Sequence, residues 1–120
     1  MTTNKNRITG NKKHGIFVNE CKGKSKINGD TIKSNKQCGI AVQKGNNVTI
    51  NSAKISKSGK NGIYIFKKSK VTINKCTVSS NKKDGIYSTL SSTTNIKKGT
   101  VSKNSGNGIY YTNTVSYTHL

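Results

Sequence analysis

The sequence predicts an all-β protein that folds as a solenoid, a stack of coils built from one repeating unit. A Gly-Ile pair recurs at a nearly constant interval, and apolar residues alternate with polar ones in the segments around it. No segment shows the apolar spacing that is typical of a helix. The repeat has to overcome an unfavourable composition, because only 29% of the residues are hydrophobic and the formal net charge is +19.

Each Gly-Ile pair marks one coil. The interval between successive pairs is 24 residues once and 23 residues three times. The pairs begin at Gly15, Gly39, Gly62, Gly85 and Gly108. We therefore expect residues 1–120 to form a single segment of about five coils, each of 23–24 residues.

The coil that begins at Gly62 shows how one unit would fold. Ile63 and Ile65 alternate with polar or aromatic neighbours, and Val71 and Ile73 do so again after a polar turn. This period of two is the mark of a strand with one buried face. An isolated apolar residue, Val78 in this unit, supplies a third inward position. The pattern predicts three short strands per coil, arranged as a triangle.

The recurring glycine suits a turn position that needs a positive φ, and this is how we interpret it. Asn61-Gly62 and Asn107-Gly108 are also typical of tight hairpins, so an antiparallel meander stays open as an alternative. Leucine-rich repeats are disfavoured, because the only leucines are Leu90 and Leu120. Left-handed hexapeptide helices are disfavoured because 23 is not a multiple of six.

A row of asparagines recurs four residues before the glycine. Asn11, Asn35, Asn81 and Asn104 occupy this position, and Ser58 interrupts the row. Asparagine side chains that stack in register can form a ladder of amide hydrogen bonds. We expect such a ladder at one turn of the solenoid.

The pattern G-I-x-V, V-T-I and I/V-S-x-N resembles the right-handed parallel β-helix repeat of pectate-lyase-like proteins, over residues 8 to about 112. The resemblance implies a right-handed parallel β-helix and a location outside the cell or at its surface. The fold hosts polysaccharide lyases, hydrolases, epimerases, phage tailspikes and adhesins, and it also serves as a plain scaffold. The resemblance therefore implies no single activity.

Both ends of the chain lack an evident polar cap, which solenoids need to cover their open edges. We therefore expect an uncapped fragment of a longer repeat protein, which alone would associate through its edges or unfold. Residues 115–120, VSYTHL, break the register. They resemble the translation of an adapter used in DNA library preparation, so we expect this tail to be non-native.

The acidic residues offer little for catalysis. Glu20, Asp30 and Asp84 occupy different positions in the repeat, so they predict neither a carboxylate pair nor a calcium site. Arg7 has no acidic neighbour in register. We expect no catalytic residue, no metal site and no cofactor in this segment. An enzyme would need catalytic coils that are missing here.

The remaining reactive side chains follow no ligand pattern. Cys21, Cys38 and Cys76 occupy three different repeat positions and form no C-x-x-C spacing. We interpret them as small free thiols, although one pair could bridge neighbouring coils. His14 and His119 are in different registers, and we interpret both as solvated turn residues.

One surface feature suggests binding. Residues two after the glycine point outward, because they alternate with the inward isoleucine. In three successive coils these residues are tyrosines, and lysines lie in the turn before each strand. The candidate carbohydrate-binding residues are Tyr64, Tyr87, Tyr110, Lys60, Lys82 and Lys83. Sugar rings would stack on the tyrosines, and carboxylates would meet the ammonium groups. Alternatively, the ladder only stabilises the sheet.

Three functional hypotheses follow. The first is a non-catalytic segment of an extracellular or surface protein that contacts acidic polysaccharide or spaces other domains. The second is a fragment of a polysaccharide lyase, hydrolase or epimerase. The third is a polyanion binder driven by charge. Specific nucleic-acid reading is not expected because 21 of the 22 basic residues are lysines, and no apolar run predicts insertion into a membrane.

Overall fold

The computed structural model describes residues 1–89 and 92–112, which form thirteen strands and no helix. The strands stack on three faces of the solenoid, which we call faces 1, 2 and 3. Face 1 is a five-stranded sheet, and faces 2 and 3 form one eight-stranded sheet because β10 (Lys70–Ser79) and β12 (Thr93–Ser102) run through both. The predicted all-β solenoid of about five turns is confirmed. The predicted tail at residues 115–120 lies outside the described residues. Within the described part of the chain, no helix could span a membrane.

The strands of each face follow one another at one strand per coil. Face 1 contains β3 (Ile16–Asn19), β6 (Ile40–Gln43), β9 (Ile63–Phe66), β11 (Ile86–Ser88) and β13 (Ile109–Tyr111). Face 2 contains β1 (Thr2–Asn4), β4 (Lys24–Asn28), β7 (Asn47–Asn51) and the first halves of β10 (Lys70–Ser79) and β12 (Thr93–Ser102). Face 3 contains β2 (Arg7–Thr9), β5 (Thr31–Lys33), β8 (Lys54–Ser56) and the second halves of β10 and β12.

All pairs of neighbouring strands are parallel, and like residues lie over like residues. Ile63 pairs with Ile40 in the coil before and with Ile86 in the coil after. A meander of hairpins would instead pair consecutive strands in opposite directions. The parallel pairing excludes that alternative for the described strands.

The predicted inward positions form most of the core. Ile63 and Ile65 of β9 are fully buried, and Val71 and Ile73 of β10 are almost fully buried. Val78, the third inward position, is also fully buried. Each face therefore sends a column of aliphatic side chains into the interior, and removal of this apolar surface from water is the main force that favours folding.

Coil four replaces part of the aliphatic column with hydroxyl groups. Ser88 occupies the position that Ile65 holds one coil earlier, and Thr94 occupies that of Val71. Both are buried, and their hydroxyl oxygens lie 2.7 Å apart in a hydrogen bond. The hydrogen bond joins two hydroxyl groups that are buried in the core.

The corner between faces 3 and 1 begins with a left-handed residue in every coil. The φ angles are 70°, 59°, 53°, 58° and 56°, at Gly10, Ser34, Lys57, Ser80 and Lys103 respectively. Only one of these residues is a glycine, so four carry the conformational cost of a side chain at positive φ, roughly 1–2 kcal/mol each. The parallel pairing on both sides of the corner fixes this geometry.

The predicted asparagine ladder follows that left-handed residue. Asn35 Oδ1 accepts hydrogen bonds from the backbone N–H and the side-chain amide of Asn11, at 3.0 and 2.9 Å. Asn104 Oδ1 accepts the equivalent pair from Asn81, at 3.0 and 2.8 Å. Ser58 interrupts the ladder, as expected. Its hydroxyl is buried without a hydrogen-bond partner among the described residues.

The interpretation of the recurring glycine is wrong. The glycines with positive φ are Gly10, Gly29 and Gly99, none of which begins a Gly-Ile pair. A Cβ atom on Gly62 would lie 2.5 Å from Val78 Cγ1 and 2.7 Å from the carbonyl oxygen of Gly85 in the next coil. The position requires glycine because the asparagine corner approaches it closely, and not because of its φ angle.

Replacement of Gly62 by alanine should therefore destabilise the fold. The new Cβ would collide with backbone as well as side-chain atoms, and overpacking of this kind costs about 1–3 kcal/mol. The free energy of unfolding from chemical denaturation measures the effect. Gly23→Ala is the control, because a Cβ there would meet nothing within 4 Å. Equal stability of the two variants would contradict the close-approach explanation.

Replacement of Ser58 by asparagine should stabilise the fold, because it completes the ladder and removes an unpaired buried hydroxyl. Gly39 leaves space beside Ser58, as Gly62 does beside Asn81. Since one net hydrogen bond contributes about 1 kcal/mol, we expect a gain of that order in the free energy of unfolding. The reverse change, Asn81→Ser, should destabilise. A less stable Ser58→Asn variant would refute the ladder as a source of stability.

Candidate functional site

The three predicted tyrosines lie in one row on the outer surface of face 1. Their Cα atoms pair in register across β9, β11 and β13. The ring centroids of Tyr64 and Tyr87 are 5.4 Å apart in an edge-on arrangement, and those of Tyr87 and Tyr110 are 5.0 Å apart and tilted. These are favourable aromatic contacts, so the row also stabilises the sheet.

A further aromatic residue extends the row sideways. Phe66 stacks on Tyr64 at a centroid distance of 4.3 Å and an interplanar angle of 11°, and the Lys67 ammonium lies 5.8 Å from the Phe66 ring centroid. Phe66 is not among the predicted binding residues, although its spacing of two residues from Tyr64 places it on the same outer surface.

The row ends at Ala41. This residue is in register with Tyr64 but is fully buried, and Phe17, one coil earlier, is 48% exposed and contacts His14. The aromatic row that could hold a ligand therefore runs from Tyr64 to Tyr110.

Two of the three predicted lysines lie beside two of the three predicted tyrosines, whereas Tyr110 does not line the depression that these residues share. Lys60 and Lys83 line a depression of about 440 Å³ together with Tyr64 and Tyr87. We call this depression the tyrosine groove. Its other lining residues are His14, Gln37, Cys38, Asn61 and Asp84. The third lysine, Lys82, does not line the groove. It lines a separate depression at the corner between faces 3 and 1.

The polar residues in the wall of the groove hold neighbouring coils together. Asn61 Oδ1 accepts the backbone N–H of Asp84 at 3.0 Å, and Asp84 Oδ1 accepts that of Asn107 at 2.6 Å. His14 Nδ1 accepts the backbone N–H of Cys38 at 3.2 Å. These three acceptors hold neighbouring coils together. The groove carries the ammonium groups of Lys60 and Lys83 and the single carboxylate of Asp84, so its charge is positive overall.

Burial and neighbouring charge keep His14 and Tyr64 neutral. Burial lowers the pKa of His14 below its ordinary value, and the ammonium group of Lys60 lowers that pKa further. Burial also raises the pKa of the Tyr64 phenol. At neutral pH the groove therefore presents uncharged rings beside the charged side chains of Lys60, Lys83 and Asp84.

The three cysteines are free thiols, so no disulfide bridges neighbouring coils. Cys38 and Cys76 are buried, and burial raises the pKa of both thiols. They are therefore protonated at neutral pH and poor nucleophiles. Cys21 is partly exposed, and its sulfur lies 2.9 Å from the Ser25 hydroxyl.

The three acidic residues lie at three different corners, and each has a structural partner. Glu20 forms an exposed ion pair with Lys44 at 3.3 Å. Asp30 is fully buried and accepts hydrogen bonds from the Thr3 hydroxyl and the Asn6 backbone N–H. Over residues 1–89 and 92–112, no cluster of three or more His, Cys, Asp or Glu residues could hold a metal ion. His119 lies outside the described residues.

Comparison with known protein families matches residues 1–120 to the family described as right handed beta helix region. Comparisons with curated proteins and with solved structures give no match. The family match covers the whole chain and agrees with the parallel stack of three-stranded coils. The chain therefore belongs to the right-handed β-helix family.

Proposed function

We propose that this β-helix segment is a non-catalytic part of an extracellular or surface protein and that it contacts acidic polysaccharide through the tyrosine groove. The observation that supports the proposal is the position of Lys60 and Lys83 beside Tyr64 and Tyr87 around one depression. The groove thus combines aromatic surface with positive charge, which is the combination that a chain of anionic sugars requires.

The rings supply apolar surface and the lysines supply charge. Tyrosine presents a rigid apolar ring with a hydroxyl group at its edge, which suits the mixed apolar and polar faces of a sugar. Each exposed ammonium–carboxylate contact contributes little, about 0–1 kcal/mol. Because coils repeat about every 4.8 Å along the stack, a polymer that lies along the row can engage several rungs at once.

The formal net charge of +19 supports a second candidate, a binder that attracts any polyanion by charge alone. The two candidates differ in the role they assign to the rings. If charge alone drives binding, the affinity does not depend on the tyrosines. It then depends on the number of lysines and not on their positions. The enzyme-fragment hypothesis has no comparable support from the described residues.

The proposal predicts that replacing Tyr64, Tyr87 and Tyr110 with serine weakens binding to pectin and alginate. Loss of ring contacts worth about 1 kcal/mol or more in total would reduce affinity at least about fivefold. Affinity electrophoresis through gels that contain each polymer measures the change. Retention that stays unchanged and salt-sensitive would leave charge alone as the cause and contradict the proposal.

Two controls separate the groove from general charge and from unfolding. Lys60→Gln with Lys83→Gln should weaken retention more than Lys24→Gln with Lys26→Gln, which removes the same charge from the exposed surface of β4 on face 2. The corresponding tyrosine-to-phenylalanine variants keep the rings and should keep most of the binding. Circular dichroism checks that each variant remains folded.

The extracellular or surface location is a separate part of the proposal. It rests on the resemblance to pectate-lyase-like proteins and on the chemistry of the suggested ligand. Antibody labelling of intact cells should detect the protein before the cells are permeabilised. Labelling only after permeabilisation would overturn this part and leave the binding measurement unaffected.

A further inference from the structure

A second basic depression lies at the corner between faces 3 and 1. Its volume is about 420 Å³, and it is lined by Ser34, Asn35, Lys36, Lys57, Gly59 and Lys82. It shares no lining residue with the tyrosine groove. The depression is therefore a separate feature, which the polysaccharide proposal does not use.

Gly59 explains why the depression exists. It lies three residues before the recurring glycine of its coil, the position that Lys36 and Lys82 occupy in the coils on either side. A Cβ on Gly59 would collide with the carbonyl oxygen of Lys36, so the chain at this point packs tightly against the coil before it. Because Gly59 has no side chain, the row of lysines at this repeat position is interrupted, and a space opens between Lys36 and Lys82.

Backbone hydrogen bonds make the floor of this space rigid. The N–H of Gly59 donates to the carbonyl oxygen of Asn35 at 2.8 Å, and the N–H of Lys82 donates to that of Ser58 at 3.0 Å. Lys57 enters the corner in the left-handed conformation, with a φ of 53°. The three lysine side chains are exposed, whereas the backbone that carries them is fixed by the stack.

The charge of the depression is unbalanced. No carboxylate lines it, and within the described residues none of its three lysines forms an ion pair. Three positive charges that share one small space repel one another, so an anion placed among them would relieve that repulsion. A ligand with several negative oxygens on one centre would serve all three lysines at once.

We propose that Lys36, Lys57 and Lys82 form a binding site for a phosphate or sulfate group. A tetrahedral oxyanion presents acceptors in several directions, and lysine ammonium groups bind such anions as flexible point charges. The Ser34 hydroxyl offers one more donor at the rim. The group can belong to a free inorganic ion or to an ester on a polymer, because the site contacts the oxyanion alone.

Titration of the ¹⁵N-labelled chain with inorganic phosphate at low ionic strength tests the site. We expect saturable NMR shifts centred on the amides of Ser34, Asn35 and Gly59. The variant K36Q/K57N/K82Q should bind phosphate about tenfold or more weakly, since loss of three charges removes most of the attraction. Asparagine is chosen at position 57 because it tolerates positive φ.

The matched control is K24Q/K26Q/K70Q, which removes three exposed lysines from face 2 without touching the depression. It should bind phosphate within about twofold of the unchanged chain. Equal losses in the two triple variants would overturn the proposal, as would shifts that fail to saturate or that centre elsewhere. A Tyr64, Tyr87 and Tyr110 serine variant should bind phosphate normally, so this site and the groove can fail independently.

The source of the oxyanion is decided by competition. If the site binds a phosphate or sulfate group that is part of a polymer, polyphosphate and dextran sulfate should displace inorganic phosphate. They should do so at concentrations far below that of the inorganic phosphate. If the site binds the free ion, the two polymers should compete with inorganic phosphate only in proportion to the number of anionic groups that they carry. Either result supports an oxyanion site at these lysines. The site would be refuted if none of these anions displaced another, as measured by the NMR shifts of the Ser34, Asn35 and Gly59 amides.

Discussion

Parallel pairing of the strands places residues that are 23 or 24 apart side by side, and most of the other contacts in the molecule depend on this offset. A single coil has too few inward side chains to compensate the conformational entropy that it loses on folding. Stacking supplies the rest, because each parallel strand pairs on both sides and each aliphatic side chain meets its equivalents above and below. The column of Ile40, Ile63 and Ile86 is the clearest example.

The same offset governs the corners and the outer surface. It places Asn35 over Asn11 and thereby forms the amide ladder, and it brings Gly62 against Val78 and Gly85 so closely that a methyl group would not fit. It also aligns Tyr64, Tyr87 and Tyr110 as a row. Two residues of one coil depart from the repeat pattern. Gly59 leaves a depression, and Ser58 leaves an unpaired hydroxyl.

Features that depend on the repeat period alone could be predicted from the sequence. The period located the isoleucine columns, the asparagine ladder with its interruption, and the tyrosine row. The backbone conformation of the corners could not be predicted. The left-handed residues are mostly serine and lysine, which carry no sequence signal for positive φ. For the same reason Lys82 was expected beside the tyrosines, although adjacent corner residues diverge and only Lys83 reaches them.

Both proposed binding surfaces require that successive coils lie parallel and in register, so the parallel offset is the central claim. The most direct test is an NMR measurement of contacts between backbone protons in the folded chain. We predict contacts between Ile63 and Ile86 and between Thr49 and Thr72, pairs that are 23 residues apart. Contacts between Lys60 and Ile63 across an Asn61-Gly62 hairpin, with none at an offset of 23, would contradict the account.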